Sequence, residues 1–350
     1  MVAPVEIAGR KVGPGHPCFI IAEAGVNHNG DLGVARRLVD AAVQAGADAV
    51  KFQSFRADRL ATAAAPKARY QLETTRRKES QQEMLRRLEL SEEDHRGLLA
   101  DCRSKGILFL SSPFDEESAE FLARLPVAAF KIPSGEITNL PFLKQVAGYG
   151  RPMILSTGMS DLKEVKTAVE TIRAVTDGNL LLLHCVSAYP ASASDANLRA
   201  METMRRAFGV PVGYSDHTEG ISVALAAAAL GACVIEKHFT LDRGLPGPDH
   251  RASLEPEELA ALVRSIRDVE AALGEGGKAP RPCEMETAAV ARKSLVAARD
   301  IQAGSRLTEE SVAAKRPGTG LPPFMRDRVI GRRAARDISE GTLLTLEMLQ

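Results

Sequence analysis

The sequence predicts an α/β protein: a (β/α)8 barrel followed by a small C-terminal domain. Three observations carry that reading. Short apolar runs alternate eight times with amphipathic stretches up to about residue 239. Every run delivers polar residues at its C-terminal end. A Gly- and Pro-rich break over residues 275–290 then separates residues 1–274 from a tail, 291–350, that repeats internally.

The runs lie at 18–22, 47–52, 107–110, 127–132, 152–155, 180–185, 210–214 and 232–235. They are short and several are continuously apolar, as strands buried on both faces should be. Helical spacing follows the first two: Leu32, Ala35, Leu38, Val39, Ala42 and Val43 recur at intervals of three and four, and Gly46 supplies a C-cap. Ser91 with Glu92, Glu93 and Asp94 opens a helix that ends at Gly106. Asp161 opens another, residues 221–231 form a short apolar one, and Pro256-Glu257-Glu258 starts the last. A doubly wound open sheet would carry a glycine-rich phosphate turn after its first strand. Here that turn reads Gly25-Val26-Asn27-His28-Asn29-Gly30, which favours the barrel. In the tail, Ala298-Arg299-Asp300-Ile301 with Gly304, Leu307 and Thr308 returns as Ala335-Arg336-Asp337-Ile338 with Gly341, Leu344 and Thr345. That duplication predicts a pseudo-symmetric module.

Composition narrows the function classes. Across 350 residues, 45 Lys+Arg balance 45 Asp+Glu, so the basic face of a nucleic-acid binder is not expected. No apolar stretch approaches the ~20 residues of a membrane span, and the N-terminus lacks a signal-peptide pattern. The 5 cysteines are odd in number and scattered, the usage of a reduced, cytoplasmic protein. With 4% aromatic residues and no Trp, a base-stacking or aromatic sugar platform is not expected.

Barrel active sites form where strands end. The first two strands end in Glu23 and in Lys51 with Gln53, and the third in Ser111 and Ser112. The fourth ends in Lys131 and Ser134, with Glu136 beyond, and the fifth in Ser156 and Thr157. The last three end in His184, Ser187 and Tyr189, then Ser215, Asp216 and His217, then Glu236, Lys237 and His238. Period-two spacing puts Lys51 with Gln53, and Glu236 with His238, on one face, sending Lys237 into the helix layer. His217 and His238 come from neighbouring strands, so two imidazoles with a carboxylate or waters can form a divalent-metal site; hydrogen-bonded rim histidines are the alternative. Lys51 with Ser112, Ser134, Ser156 and Ser215 reads as a cationic, hydroxyl-rich, acid-poor sector suited to a phosphorylated anion, although any one serine alone reads as a turn residue. Asp249, in the stiff loop 243–250, suits either a polyhydroxyl ligand or an Asx-turn. His28 reads as a rim or loop residue, and His184, Cys185 and Cys233 as core. His16, His95 and the Arg76-Arg77-Lys78 run read as surface.

These residues resemble the sialic acid synthase family: N-acetylneuraminate synthases and their legionaminate and pseudaminate relatives. The motifs are Ile21-Ala22-Glu23-Ala24-Gly25-Val26-Asn27-His28-Asn29-Gly30, Val50-Lys51-Phe52-Gln53, Ser111-Ser112-Pro113-Phe114-Asp115 and Lys131-Ile132-Pro133-Ser134-Gly135-Glu136. Further along come Leu155-Ser156-Thr157-Gly158-Met159, Gly213-Tyr214-Ser215-Asp216-His217-Thr218, Glu236-Lys237-His238-Phe239-Thr240, Pro246-Gly247-Pro248-Asp249 and Lys315-Arg316-Pro317-Gly318-Thr319-Gly320. The resemblance implies a TIM barrel with an antifreeze-like (SAF) domain in a domain-swapped homodimer. It implies condensation of phosphoenolpyruvate with N-acetylmannosamine and water to a nine-carbon 2-keto acid and phosphate, with a divalent metal, Mn²⁺ or Mg²⁺, on His217 and His238. Lys51, Ser112, Ser134, Ser156 and Ser215 would then hold phosphoenolpyruvate. Gln53, Tyr189 and Asp249, with Ser187 near, would orient the sugar, and Glu23, or Glu136, would act on the attacking water. Arg316 would reach the N-acyl group in the partner's barrel.

Two segments depart from the N-acetylneuraminate pattern: Ser187-Ala188-Tyr189-Pro190, and the stretch Tyr70-Gln71-Leu72-Glu73-Thr74-Thr75 with Glu79-Ser80-Gln81. They resemble the legionaminate and spore-coat-polysaccharide branches, which makes a 2,4-diacetamido trideoxy sugar the alternative substrate. A 3-deoxy-aldulosonate synthase would need a second cationic cluster for a sugar phosphate. A polysaccharide- or ice-binding module would need a flat apolar face, whereas the tail is rich in arginine, including Arg292, Arg316, Arg326, Arg332 and Arg333.

Overall fold

The structure, a computed structural model, describes residues 2–75, 78–176 and 179–350; Arg76 and Arg77, expected on the surface, lie outside them. The chain divides into two compact units, Met1–Gly274 and Glu275–Gln350.

The first unit opens with a hairpin, β1 (Val5–Ile7) and β2 (Arg10–Val12). Its Ala8-Gly9 turn has positive φ at both residues, the geometry that matches strand twist. Barrel strands follow as β3 (Phe19–Gly25), β4 (Ala49–Ser54), β5 (Leu108–Pro113) and β6 (Phe130–Ile132). They continue as β7 (Met153–Ser156), β8 (Leu180–Cys185), β9 (Val212–Asp216) and β10 (Val234–His238). Among the described residues these eight form one parallel sheet in the order β5-β4-β3-β10-β9-β8-β7-β6, and its two edge strands lie side by side to close the barrel.

The expected helix signals at Gly46, Ser91 and Asp161 hold, and Asp31 adds an N-cap that was not expected. Asp31 caps Leu32–Ala45 and Gly46 ends it at φ 78°. Ser91 caps Glu92–Lys105, and Asp161 caps Leu162–Arg173.

Alternation along the strands sets up the site. One set of side chains, including Ile20, Val50, Phe109 and Leu182, packs under the helices. The inward set is apolar at the strand starts: Phe19, Ile21, Ala49, Ile154 and Val234 pack together. Val5, Ile7 and Val12 of the hairpin join that cluster and plug the N-terminal mouth. The same face becomes polar toward the strand ends, so the barrel has a sealed apolar floor beneath its polar rim.

In the second unit the segment expected as linker is helical from Met285 to Ala291. Beyond it β11 (Ser294–Ala297) pairs antiparallel with β12 (Val312–Lys315). The duplication is visible as exchanged contacts: Ile301 and Ile338 trade backbone hydrogen bonds at 2.8 Å. Asp300 Oδ1 accepts from Glu340 N at 2.8 Å, and Asp337 Oδ1 accepts from Ala303 N at 2.7 Å. Several tail arginines serve this module rather than a ligand. Arg326 pairs with Glu309 at 2.6 Å, and Arg333 donates to Gly304 O at 2.6 Å. Among the described residues no helix is long and apolar enough to cross a membrane.

Candidate active site

Strand register brings the rim residues together. Glu23 on β3 stands opposite His238 on β10 and Lys51 on β4, while Glu236 stands opposite Ser215 on β9. Lys51 Nζ lies 2.5 Å from Glu23 Oε2, donates to Ser112 Oγ at 3.1 Å, and lies 3.7 Å from Glu236 Oε2. Lys131 Nζ reaches Glu236 Oε1 at 3.3 Å, and Ser215 Oγ donates to that oxygen at 2.9 Å. All four charged groups are buried. Burial pushes both carboxyls up. At Glu236 this is outweighed by Lys131, Lys51 and the Ser215 hydroxyl, which hold it below the ordinary range. At Glu23 burial wins over Lys51 and the carboxyl is raised. Burial wins at Lys131, lowering its ammonium, whereas Glu23 and Glu236 outweigh burial at Lys51 and raise it.

The sector is therefore not acid-poor, as expected from sequence; it is two lysines interleaved with two carboxylates. Lys131 and Glu236 are the residues whose part the sequence reading missed. The signal was present: Lys131 is a charge inside an apolar run and Glu236 one directly after another, each at the period-two position that faces inward.

The two imidazoles meet. His217 and His238 have ring centres 5.4 Å apart, and Tyr189 lies 4.2 Å from the first and 5.8 Å from the second. His217 Nδ1 donates to Val186 O at 2.8 Å, so that in the neutral ring Nε2 carries the lone pair, although burial is outweighed by Cys185 and Val186, which raise this imidazole. His238 Nδ1 is buried without a hydrogen-bond partner. Burial, with His217 and Lys51 nearby, holds that ring well below its ordinary pKa, in the neutral form that ligates metals. Among the described residues no third His, Cys, Asp or Glu completes a metal cluster. What fits a divalent cation is the neutral His238 ring, its Nδ1 unpartnered, beside His217; further coordination positions would be left to substrate or water. Cys185, expected as core filler, has Sγ 3.7 Å from His217 Nδ1. Burial raises this thiol, but the contacts with His217 outweigh it and the net shift is downward.

The hydroxyls take distinct places. Ser134 Oγ accepts from Gly158 N at 2.9 Å, and Ser187 Oγ lies 3.9 Å from Cys185 Sγ. Ser156 Oγ is buried with no partner, an unused donor at the rim. Gly158 permits this crowding: a Cβ there would stand 2.3 Å from Ser187 Oγ and 2.9 Å from Ser134 Oγ. Gln53 Nε2 donates to Glu23 Oε1 at 3.4 Å. Asp249 is 7% exposed, and burial raises its carboxyl to about 6 despite His217 and Lys51.

Other expected residues fall elsewhere. Glu136 is half-buried in a 3₁₀ turn and accepts from Asn139 at 2.8 Å; its acidic neighbours are Glu116 and Asp115, not the lysine cluster. Arg316 is exposed in the second unit and donates to Ala291 O at 3.0 Å. Asp216 and Lys237 point away from the lumen into a buried pair at 2.7 Å. His184 is satisfied by Ala196 O at 2.8 Å. His95 is buried, not surface: it packs between Phe109 and Phe121 and hydrogen-bonds Ser54 Oγ at 2.8 Å. A cavity of about 560 Å³ at the opposite mouth contains Cys18, Cys233 and Glu270. It carries little free chemistry, since Glu270 is engaged by Cys18 N and Arg267.

Comparison with known proteins matches residues 38–278 to the NeuB family and residues 292–350 to the SAF domain. The N,N'-diacetyllegionaminic acid synthase of Legionella pneumophila is 50% identical over 337 residues, covering 95% of this chain and 95% of that protein. The N-acetylneuraminate-9-phosphate synthase of Homo sapiens is 40% identical over 355 residues, covering 99% and 97%. The crystal structure of the N-acetylneuraminic acid (sialic acid) synthetase of Leptospira borgpetersenii, in complex with citrate, shares 36% identity at a TM-score of 0.72, covering 82% of this chain and 95% of that one. With the barrel, the rim and the duplicated tail all accounted for, the chain belongs to the NeuB family and ends in a SAF domain.

Proposed function

We propose that the chain condenses phosphoenolpyruvate with an open-chain N-acylated amino sugar and water, giving a nine-carbon 2-keto sugar acid and phosphate. The observation that carries this is the convergence of Lys51, Lys131, Glu23 and Glu236 beside the His217–His238 pair at one barrel mouth. Of the two sugars weighed from sequence, the 2,4-diacetamido trideoxy sugar is preferred over N-acetylmannosamine, because a legionaminic acid synthase matches at 50% identity.

The two ammoniums and the hydroxyls of Ser112, Ser134, Ser156 and Ser215 bind the phosphate and carboxylate of phosphoenolpyruvate, trading contacts with Glu23 and Glu236 for contacts with the ligand. Gln53, Tyr189 and Asp249 orient the sugar. His217 and His238 would hold a divalent cation, Mn²⁺ or Mg²⁺, which would supply Lewis acidity toward the sugar aldehyde. A bond forms between C3 of phosphoenolpyruvate and the aldehyde carbon as the C=O π bond breaks, and the aldehyde oxygen takes up a proton to become the product hydroxyl. Water then adds at C2, its proton accepted by Glu23, and the C2–O bond to phosphate breaks, Lys51 offsetting the charge on the departing group. The sealed floor keeps bulk water from the cationic C2 from below. Arg316 of a second copy contacts the N-acyl group.

The test supplies phosphoenolpyruvate with either sugar and follows phosphate release with and without EDTA. Release with the diacetamido sugar that stops on chelation is expected. No release with either sugar refutes the synthase reading.

A further inference from the structure

Between β4 and β5 the chain carries a short helix, Arg69–Thr74, none of whose residues is buried. Polar tethers hold it. Gln71 Nε2 donates to the Tyr70 hydroxyl at 3.4 Å, Glu73 lies 3.9 Å from Arg251, and Lys67 reaches Thr75 at 2.9 Å and Glu79 at 3.4 Å. The ring of Tyr70 lies 5.1 Å from that of Tyr189. Tyr189 stands 4.2 Å from His217, which faces His238 at 5.4 Å. A column of four rings thus runs from this exposed helix down to the two imidazoles.

A second observation points to a ligand beside the column. Asp249 is 7% exposed, and its carboxylate has no hydrogen-bond or ion-pair partner among the described residues. Its oxygens are not among the fully buried polar atoms left without a partner, so the carboxylate faces open space in which a ligand's donor can meet it. Its charge bears on the phenols of both Tyr70 and Tyr189. Two stacked rings and a carboxylate open to a donor therefore lie near His217.

We propose that Tyr70 is a specificity-determining residue of the sugar site, closing with Tyr189 and Asp249 the part of the pocket that takes the far end of an open-chain, N-acylated deoxy amino sugar. The inference rests on the synthase reading. If the aldehyde carbon sits at the imidazole pair, the apolar floor below leaves the rest of the sugar only the outward direction, along Tyr189 to the level of Tyr70. There a methyl group, from an acetamido substituent or a deoxy carbon, packs on the ring, and hydroxyl or amide N–H groups donate to Asp249. A fully hydroxylated terminus gains less from that wall.

The experiment measures steady-state phosphate release by the full chain with Mn²⁺ supplied, using the 2,4-diacetamido trideoxy sugar and N-acetylmannosamine in turn. Variants are Tyr70→Ala, Tyr70→Phe and, as control, Leu72→Ala on the same helix at a 40% exposed position. Tyr70→Ala is expected to raise the KM of the preferred sugar about tenfold or more and to shrink its advantage over the other sugar, the scale of a lost methyl contact. The KM for phosphoenolpyruvate and the Tm stay at wild-type values. Tyr70→Phe retains most of the sugar preference, and Leu72→Ala changes nothing. An unchanged sugar KM in Tyr70→Ala overturns the inference while leaving the synthase reading intact. A rise in both KM values together with a lower Tm assigns Tyr70 a structural role and also overturns it. A wild-type chain inactive with both sugars defeats the synthase reading itself, and this inference with it.

Discussion

His217 and His238, on neighbouring strands, hold their rings 5.4 Å apart, and only one of the two has its Nδ1 engaged by a backbone carbonyl. That asymmetry makes His238 the more exposed to loss. Its buried Nδ1 has no protein partner, so what it does in the resting protein is incomplete without a ligand. His238→Ala should lower kcat/KM about a hundredfold or more, the scale of several kcal/mol of Lewis-acid stabilisation. Circular dichroism and Tm should stay near wild type. Near-normal turnover would overturn the proposed role of His238 in holding a metal.

Lys131 and Glu236 are each other's burial partners at 3.3 Å. Replacing Lys131 by Met strips the buried Glu236 of one of its two lysine neighbours. The expected result is a loss of stability of up to about 3–5 kcal/mol by denaturant titration, together with a higher KM for phosphoenolpyruvate. The double change Lys131→Met with Glu236→Gln should recover stability and not affinity. Recovery of both would show that Lys131 does not meet the anion.

Gly158 gives a test of the hydroxyl ring that removes no functional group. Gly158→Ala places a Cβ 2.3 Å from the present Ser187 Oγ and 2.9 Å from Ser134 Oγ, so both hydroxyls must turn away. The KM for phosphoenolpyruvate should rise about tenfold, the price of one or two displaced hydrogen bonds. The KM for the sugar should change less. Equal effects on both substrates would argue against Ser134 as a phosphoenolpyruvate contact.

A stability prediction concerns His28, which is fully buried and whose pKa is pushed down to about 4, chiefly by burial. The unfolded chain takes up this proton near pH 6.5, whereas the folded one refuses it until about pH 4. Stability is therefore fully present above pH 6.5 and is lost as the pH falls through that window. Between pH 7 and pH 5 this residue should account for about 2 kcal/mol in urea titrations. His28→Gln should flatten that part of the profile; an unchanged slope would show that the group does not titrate as described.

The second copy's Arg316 can be tested by mixing. Lys51→Met and Arg316→Ala are each expected to be inactive alone. If this chain forms a dimer and the arginine acts across it, co-refolded mixtures should show turnover that neither shows separately. No recovery in a mixture shown to contain heterodimers would assign Arg316 to its own barrel.

The barrel was legible because its causes are local. Strand burial on both faces forces continuous apolar runs such as 180–185, helix ends need residues such as Asp31 and Gly46, and a rim at strand ends collects polar side chains. The duplicated tail was legible for the same reason, and the exchanged contacts of Asp300 and Asp337 are its structural counterpart. The family motifs, too, could be read directly in the chain.

What only the tertiary structure decided is which charges face which. Alternation already turned Lys237 toward the helix layer, but that it meets Asp216 there, and that Lys131 meets Glu236 in the lumen, follows only from how the strands are set beside one another. Glu136 matches a family motif but turns toward Asn139, because the chain leaves β6 in a 3₁₀ turn before the side chain can reach the lumen. His95 looks like a surface residue until its helix packs it against Phe109 and Phe121. Period and composition specify the face of one strand at a time. The pairing of charges across a closed barrel depends on register between strands far apart in sequence, and only folding sets that register.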